Sequence, residues 1–371
     1  MYLHVPFCSR RCSYCDFAIA VRRRVPVRAY IRAIEHELSV RAVEYPRPVL
    51  DTLYLGGGTP SRLGADGVGA ALRAVRQFAD LAPGAEVTIE ANPEDITADV
   101  VRSWREHGVN RLSIGIQSFD DRVLAWMHRV HNADAARRAV HAARAGGIDA
   151  FSVDLIFAVP ETLNRDWERD VADIAALEPQ HVSLYGLTIE AGTPLGRWHA
   201  RGDALESPEE RYEAEFLFAH AALSERGFDH YEVSNFSLPG QRARHNSAYW
   251  QNVPYLGVGP AAHGFDGKAR RWNVSAYASW QHAVEQNIDP VAGRELLTPD
   301  NKIAESVYLG LRTTDGLAVT PAERSNLESW FAAGWLEDGG DAQFPSVHCT
   351  PKGWLRLDAL AADLTARRSR S

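Results

Sequence analysis

The sequence predicts an α/β protein: a partial, open barrel of six strand–helix units followed by a smaller α+β unit. Two observations carry this. Strand and helix signals alternate six times between Tyr2 and Leu187, the pattern of parallel strands joined by crossover helices. The residues with chemical character also fall at strand ends. Cysteines follow the first strand, glycines the second, Glu90 ends the third, Gln117 follows the fourth, and Asp154 lies in the fifth. Parallel α/β sheets collect their chemistry at these carboxyl ends.

The elements follow in order. Tyr2–Phe7 reads as a buried strand, although one so near a terminus frays easily; the natural start is expected a few residues upstream of Met1. Pro26 opens a helix whose apolar face is Val27, Ile31, Ile34 and Leu38. Strands are expected over 49–55, 85–89, 111–116, 151–157 and 181–187. Helices are expected through Val68–Phe78, on to about His107, over 120–126 and 133–145, and over 162–176. Residues 203–226 are marked as a helix by a Ser207-Pro208-Glu209-Glu210 capping box and by Gly227 beyond its end. A last strand spans 228–233. Six units are too few for a closed eight-unit TIM barrel, so one flank stays open. Domain limits are set at 1–235 for the barrel, 236–297 for an aromatic, Gly-rich connecting region, and 298–371 for a C-terminal unit. In that last unit helices near 303–311 and 321–333, a turn at Gly339-Gly340 and a helix over 354–364 resemble a winged helix.

Composition narrows the function. The chain has 371 residues, 45% of them hydrophobic, and a net charge of −8, which argues against nonspecific nucleic-acid binding. No run approaches a membrane span. No signal peptide is visible, and the expected location is the cytoplasm. Only four cysteines occur, three of them in His4-Val5-Pro6-Phe7-Cys8-Ser9-Arg10-Arg11-Cys12-Ser13-Tyr14-Cys15-Asp16-Phe17. Three thiolates on one short loop indicate a metal or cluster site in a reducing compartment. With His4 they could form a Cys3His zinc site. As ligands of a four-iron cluster they would leave one iron open. Cys349 reads as a plain buried residue.

Further motifs lie downstream. They are Leu55-Gly56-Gly57-Gly58-Thr59-Pro60-Ser61, Glu90-Ala91-Asn92-Pro93, Ser113-Ile114-Gly115-Ile116-Gln117-Ser118-Phe119, Arg129-Val130-His131, Asp154-Leu155-Ile156 and His245-Asn246-Ser247-Ala248-Tyr249-Trp250. Alone, the glycine run is an ordinary turn and lacks a dinucleotide or P-loop spacing. Together with the cysteine loop, these motifs resemble the oxygen-independent coproporphyrinogen III oxidase family of radical S-adenosylmethionine (SAM) proteins, and within it the HemW-type heme chaperones.

The resemblance implies a radical SAM barrel and a [4Fe-4S] cluster on Cys8, Cys12 and Cys15. It implies SAM contacts from Tyr2, Tyr14, Gly57, Gly58, Thr59, Glu90, Gln117, Arg129 and Asp154, with Arg129 on the carboxylate and Asp154 on the ribose. It implies heme beside the HNxxYW motif, with His245 as iron ligand and Asn246, Tyr249 and Trp250 around it; His128, His131 and His263 are rival ligands. The implied partners are a heme-acceptor protein, respiratory and membrane-associated, and an electron donor such as flavodoxin or ferredoxin. Phe17 separates the chain from the oxidases, which carry a further cysteine there and a long N-terminal extension not seen here. The alternative function is oxidative decarboxylation of porphyrinogen propionates through a 5′-deoxyadenosyl radical. Two positions depart from the family pattern. Ala158-Val159-Pro160-Glu161-Thr162 replaces a longer Gly-containing turn, and His128 stands where a glycine is usual.

Overall fold

The computed structural model describes residues 1–340 and 345–370. Six parallel strands form the barrel: Tyr2–Val5, Val49–Gly57, Asp80–Ala91, Arg111–Gln117, Phe151–Phe157 and His181–Gly186. They lie side by side in chain order. Gly257–Val258 adds a parallel strand outside the first, and Asn235–Ser237 and Asp229–Glu232 close the other flank antiparallel. The first strand is therefore interior and paired on both sides, which holds the end that the sequence alone leaves loose.

Period-two alternation divides the barrel's side chains between two environments. Leu3, Val5, Leu53, Leu55, Val87, Ile89, Leu112, Ile114, Val153, Leu155, Val182 and Leu184 are buried in the hydrophobic core. The intervening positions are polar or aromatic and in register across the sheet: Tyr2 beside Tyr54, Tyr54 beside Thr88, Glu90 beside Ser113, Ser113 beside Ser152, and Asp154 beside Ser183. The barrel thus has an apolar outside under helices and a polar inside.

The helices Val27–Arg41, Gly64–Phe78, Ala98–Glu106, Asp121–Trp126 and Ala133–Ala145 begin and end close to expectation. Two do not. The helix after the fifth strand starts only at Trp167, capped by the Asp166 carboxylate, which accepts from the Arg169 amide (3.0 Å). The other is Glu209–Ser224, which follows the helix Pro194–Ala200, and the expected capping box is not formed: Pro208 is the N-cap and the Ser207 hydroxyl is buried without a partner. Gly227 does take the left-handed conformation expected beyond its end (φ 83°).

The stretch with little sequence period is ordered by pairing. His263–Phe265, Ala269–Asn273 and Val291–Leu296 make a small antiparallel sheet, beside helices Arg244–Trp250 and Tyr277–Glu285. It is tied to the barrel by Glu37, whose fully buried carboxylate accepts from the Gly259 amide (2.9 Å), Asn273 Nδ2 (2.6 Å) and Trp280 Nε1 (2.8 Å).

From Pro299 the chain forms helix Pro299–Arg312, two short helices Pro321–Ser325 and Glu328–Ala332, and helices Pro351–Trp354 and Leu357–Arg368. These pack with a three-stranded sheet of Leu317–Ala318, Pro345–Cys349 and Leu336–Gly340. Gly339 and Gly340 end a strand instead of forming the turn; the connection at 341–344 lies outside the described residues. Cys349 is buried, as expected. Among the described residues no helix is long and apolar enough to cross a membrane.

Candidate functional site

The cysteine loop is held at both ends. Phe7–Cys8 pairs in parallel with Ala20–Val21, so the chain returns alongside itself after the loop. In between, the Ser13 amide donates to Met127 O (3.1 Å) and its hydroxyl to Trp126 O (3.2 Å), while the Leu195 amide donates to Ser13 O (2.8 Å). A tight turn brings the Cys15 amide to Cys12 O (3.4 Å).

The second strand approaches this loop closely. A Cβ on Gly58 would lie 2.7 Å from the Pro6 backbone, and one on Gly57 (φ 114°) would lie 2.5 Å from the His4 ring. Only glycine fits at either place. The Gly57 amide and the Tyr54 hydroxyl donate to the two Glu90 oxygens (3.0 and 2.8 Å). Glu90 touches the cavity yet lies deep beneath the outer surface, and burial pushes its carboxyl up to about 7. At the end of the fourth strand a register shift between Gly115 and Gln117 places Gln117 in the left-handed region (φ 71°); such irregularities re-aim a side chain at a strand end. Asp154 accepts from Ser113 Oγ (2.7 Å) and Ser152 Oγ (3.0 Å), and burial raises its carboxyl as well. Arg129 Nη2 donates to Asn92 Oδ1 (2.7 Å) and Gly115 O (2.8 Å), and Nη1 lies 3.5 Å from Cys12 Sγ.

These residues line one cavity of about 450 Å³ at the carboxyl end of the barrel: Cys8, Cys12, Cys15, Tyr14, Gly57, Gly58, Thr59, Glu90, Gln117, Arg129 and Asp154. Tyr2 does not line it. It is packed against the Tyr54 ring with its hydroxyl 3.1 Å from His4 Nδ1. The zinc alternative loses its fourth ligand, because His4 Nε2 is bonded to Ala18 O (3.0 Å) and Nδ1 to Tyr2. Among the described residues no three His, Cys, Asp or Glu side chains converge on one ion position.

The donor set fits a multi-iron cluster beside a polar ligand. Three cysteines face one cavity, burial raises the Cys8 thiol and pushes Cys15 up to about 11, and Arg129 Nε is buried without a partner. Metal coordination would relieve such thiols by taking the thiolate form.

The HNxxYW helix lies elsewhere, at the floor of the barrel. Glu86 accepts from the Arg244 and His245 amides (3.0 and 2.9 Å). His245 is buried, stacked on Tyr54 (centroids 5.0 Å apart), with Nδ1 2.7 Å from Thr52 Oγ1 and Nε2 2.9 Å from Tyr249 Oη. As folded, both ring nitrogens are hydrogen-bonded within the protein. Tyr249 packs edge-on against Tyr255, and the Arg312 guanidinium covers the Trp250 ring at 4.2 Å. Asn246 is half-buried on the same helix. Of the rival histidines, His131 is buried with Nε2 3.0 Å from Ile116 O, His263 is exposed against Trp272, and His128 lines the cavity.

Sequence reasoning missed Asn92, Tyr54 and Tyr185, all of which line the cavity. A signal existed for Asn92: it follows Glu90 by two positions, the strand period. It also missed Glu215, which anchors the shortened turn after the fifth strand. Its carboxylate accepts from the Ala158 amide (2.7 Å), Arg165 Nη2 (2.6 Å) and Arg211 Nε (2.8 Å), and Ala158 is left-handed (φ 56°).

A six-strand partial barrel with a three-cysteine loop after its first strand defines a radical SAM protein, and residues 2–174 match the family model of the Radical SAM superfamily. Within that superfamily the chain belongs to the family of HemW proteins. It is 37% identical over 370 residues to the heme chaperone HemW of Mycobacterium tuberculosis, covering 98% of this chain and 94% of that one. It is 34% identical to the HemW of Synechocystis over 92% of this chain and 86% of the relative. The solved structure of the Escherichia coli coproporphyrinogen III oxidase HemN, a radical SAM enzyme, shares the fold: TM-score 0.80 at 22% identity, over 97% of this chain and 88% of that one.

Proposed function

We propose that this chain binds heme and passes it to an acceptor protein, using a [4Fe-4S] cluster and exchangeable SAM in the barrel cavity. The observation that carries the reading is the convergence of Cys8, Cys12 and Cys15 with the strand-end residues on one cavity, in a chain whose relatives are named heme chaperones. Cys8, Cys12 and Cys15 hold the cluster. Bound there, a cluster with one open iron supplies a site for the amino and carboxylate groups of SAM and one-electron redox chemistry. Glu90, fixed by Tyr54 and the Gly57 amide, faces the ammonium group. Arg129, braced by Asn92 and Gly115, faces the carboxylate. Asp154 takes a ribose hydroxyl, and Gln117, Tyr14, Gly58 and Thr59 complete the wall.

Phe17 supports chaperone over oxidase, since it lines the cavity and is 60% exposed where the oxidases place a cysteine. The acceptor in this reading is a respiratory, membrane-associated protein, the electron donor a flavodoxin or ferredoxin, and the location the cytoplasm.

The test is anaerobic reconstitution with iron and sulfide, followed by separate titrations with SAM and hemin read by absorption and EPR. Stoichiometric hemin binding is expected, with no conversion of coproporphyrinogen III to protoporphyrinogen under reducing conditions. Failure to bind hemin, or that conversion, overturns the proposal.

A further inference from the structure

Two carboxylates of the cavity, Asp154 and Glu90, are joined through the barrel interior to the same distant helix. Asp154 heads the longer connection. Ser152 Oγ donates to Asp154 Oδ1 (3.0 Å). That uses the only hydroxyl proton, so His181 Nδ1, 2.9 Å away, donates to the serine. Burial holds His181 neutral, and its Nε2 therefore accepts from the Tyr231 hydroxyl (2.8 Å). That hydroxyl accepts in turn from the Ala243 amide (3.4 Å). Ala243 is the N-cap of the HNxxYW helix, Arg244–Trp250. Every proton in this row points toward Asp154, and Ser152, His181 and Tyr231 are only 3%, 1% and 2% exposed.

Glu90 heads the shorter connection. The Tyr54 hydroxyl donates to Glu90 Oε1 (2.8 Å), and the Tyr54 ring stacks on His245 of the same helix, centroids 5.0 Å apart. His245 Nε2 lies 2.9 Å from the Tyr249 hydroxyl one turn further on. Buried polar side chains cost free energy where apolar ones would pack, yet both rows are complete from cavity to helix. A cation placed on Glu90, or a hydroxyl placed on Asp154, changes what each carboxylate offers its donors. Hydrogen bonds in a row polarise one another, so the change is passed along to the helix.

We propose that Tyr54 and Tyr231 are positioning residues that couple SAM occupancy of the cavity to the HNxxYW helix, so that bound SAM tightens the helix and slows the release of heme. This rests on the reading above, in which SAM fills the cavity and the chain carries heme. The signature helix then reports on the cavity as well as shaping the floor.

Contiguity is not coupling, so the response to SAM is what has to be measured. Hydrogen exchange of the Arg244–Trp250 amides is followed in the full-length, cluster-reconstituted protein with and without saturating SAM. Hemin transfer to apomyoglobin is timed in the same two states. In the parent, SAM is expected to slow each rate by about fivefold or more. Phenylalanine keeps each ring and removes only the hydroxyl, and urea midpoints verify that the variants fold. Tyr231→Phe, remote from the cavity, is expected to lose part of the response while its SAM affinity by calorimetry changes less than about twofold. In Tyr54→Phe/Tyr231→Phe, with SAM occupancy again confirmed by calorimetry, both rates are expected to ignore SAM; if that pair does not fold, the single variants carry the comparison. A parent in which SAM fills the cavity and either rate stays unchanged overturns the coupling. Variants that respond as fully as the parent assign the two tyrosines to packing and overturn it too. A parent that binds SAM but no hemin refutes the functional reading, while the exchange response still decides whether the helix senses the cavity. A parent that binds no SAM refutes both.

Discussion

At the floor of the barrel, His245 has both ring nitrogens bonded, its ring stacked on Tyr54 and its amide on Glu86. At the mouth, Gln117, His128 and Ala158 are left-handed and Arg129 Nε has no partner. Burial there works against the charged forms of Cys8, Cys15, Glu90 and Asp154. Both regions are built on the same strands, a few residues apart. The difference separates two uses of polar groups. Satisfied buried groups fix the structure; strained and unsatisfied ones mark where a ligand completes the bonding. By this measure His245 is fixed in the floor, Trp250 Nε1 on the same helix is left without a partner, and most of the backbone strain gathers at the mouth.

Four changes test that contrast. The largest effect is expected at the mouth and on cofactor, not on stability. Replacing Cys8, Cys12 or Cys15 with Ser is expected to reduce iron and acid-labile sulfide after reconstitution to near zero. The cluster-free chain should lose less than about 1 kcal/mol in urea unfolding.

At the floor the signs reverse. His245→Ala leaves Thr52 and Tyr249 without their partner and a cavity against Tyr54, a loss of about 3 kcal/mol in urea unfolding. A His245→Ala protein of unchanged stability would break the contrast outright.

Glu90 lies between the two. Its folded carboxyl titrates near 7 against an ordinary 4.5, so folding favours the protonated form. That contribution is complete below about pH 4.5 and is lost as pH rises through about 7, a cost of about 2 kcal/mol after allowing for cavity water. Urea unfolding of the SAM-free protein from pH 5 to pH 8 should show this slope, and Glu90→Gln should flatten it. SAM, bringing a cation, should bind more tightly above pH 7 than below it.

The smallest effect is expected from Arg129→Lys. The substitution keeps the charge but cannot reach Asn92, Gly115 and the ligand together. Calorimetry should record SAM affinity lower by about tenfold, with stability little changed.

Much of this site was legible in the sequence because its residues sit at fixed points of a simple repeat. Glu90, Gln117 and Asp154 close or occupy strands whose alternation is plain, and the glycine run punctuates the second. What was not legible depends on partners far apart in the chain. Glu215 meets Ala158 and Arg165 only after a helix has folded back. The small sheet of His263–Phe265, Ala269–Asn273 and Val291–Leu296 has strands too short to show a period. The Ser207 capping signal failed because Pro208 occupies the N-cap itself. The bonding of His245 was hidden for a related reason: a histidine among aromatics reads the same whether its nitrogens are free or bonded, and Thr52 lies in a distant strand.

The pairing of Tyr2 and Leu3 with Gly257 and Val258 has a consequence for the order of assembly. The strand that feeds the cysteine loop is not enclosed until the chain has been made past Val258, and contacts of such separation form slowly. A chain that stops short of Gly257 therefore leaves one edge of the first strand unpaired. Closure follows as the later segment seals the edge. A chain ended before Gly257 should show fast hydrogen exchange at the Tyr2 amide, which in the complete protein donates to Leu256 O (2.8 Å); slow exchange there would contradict this order.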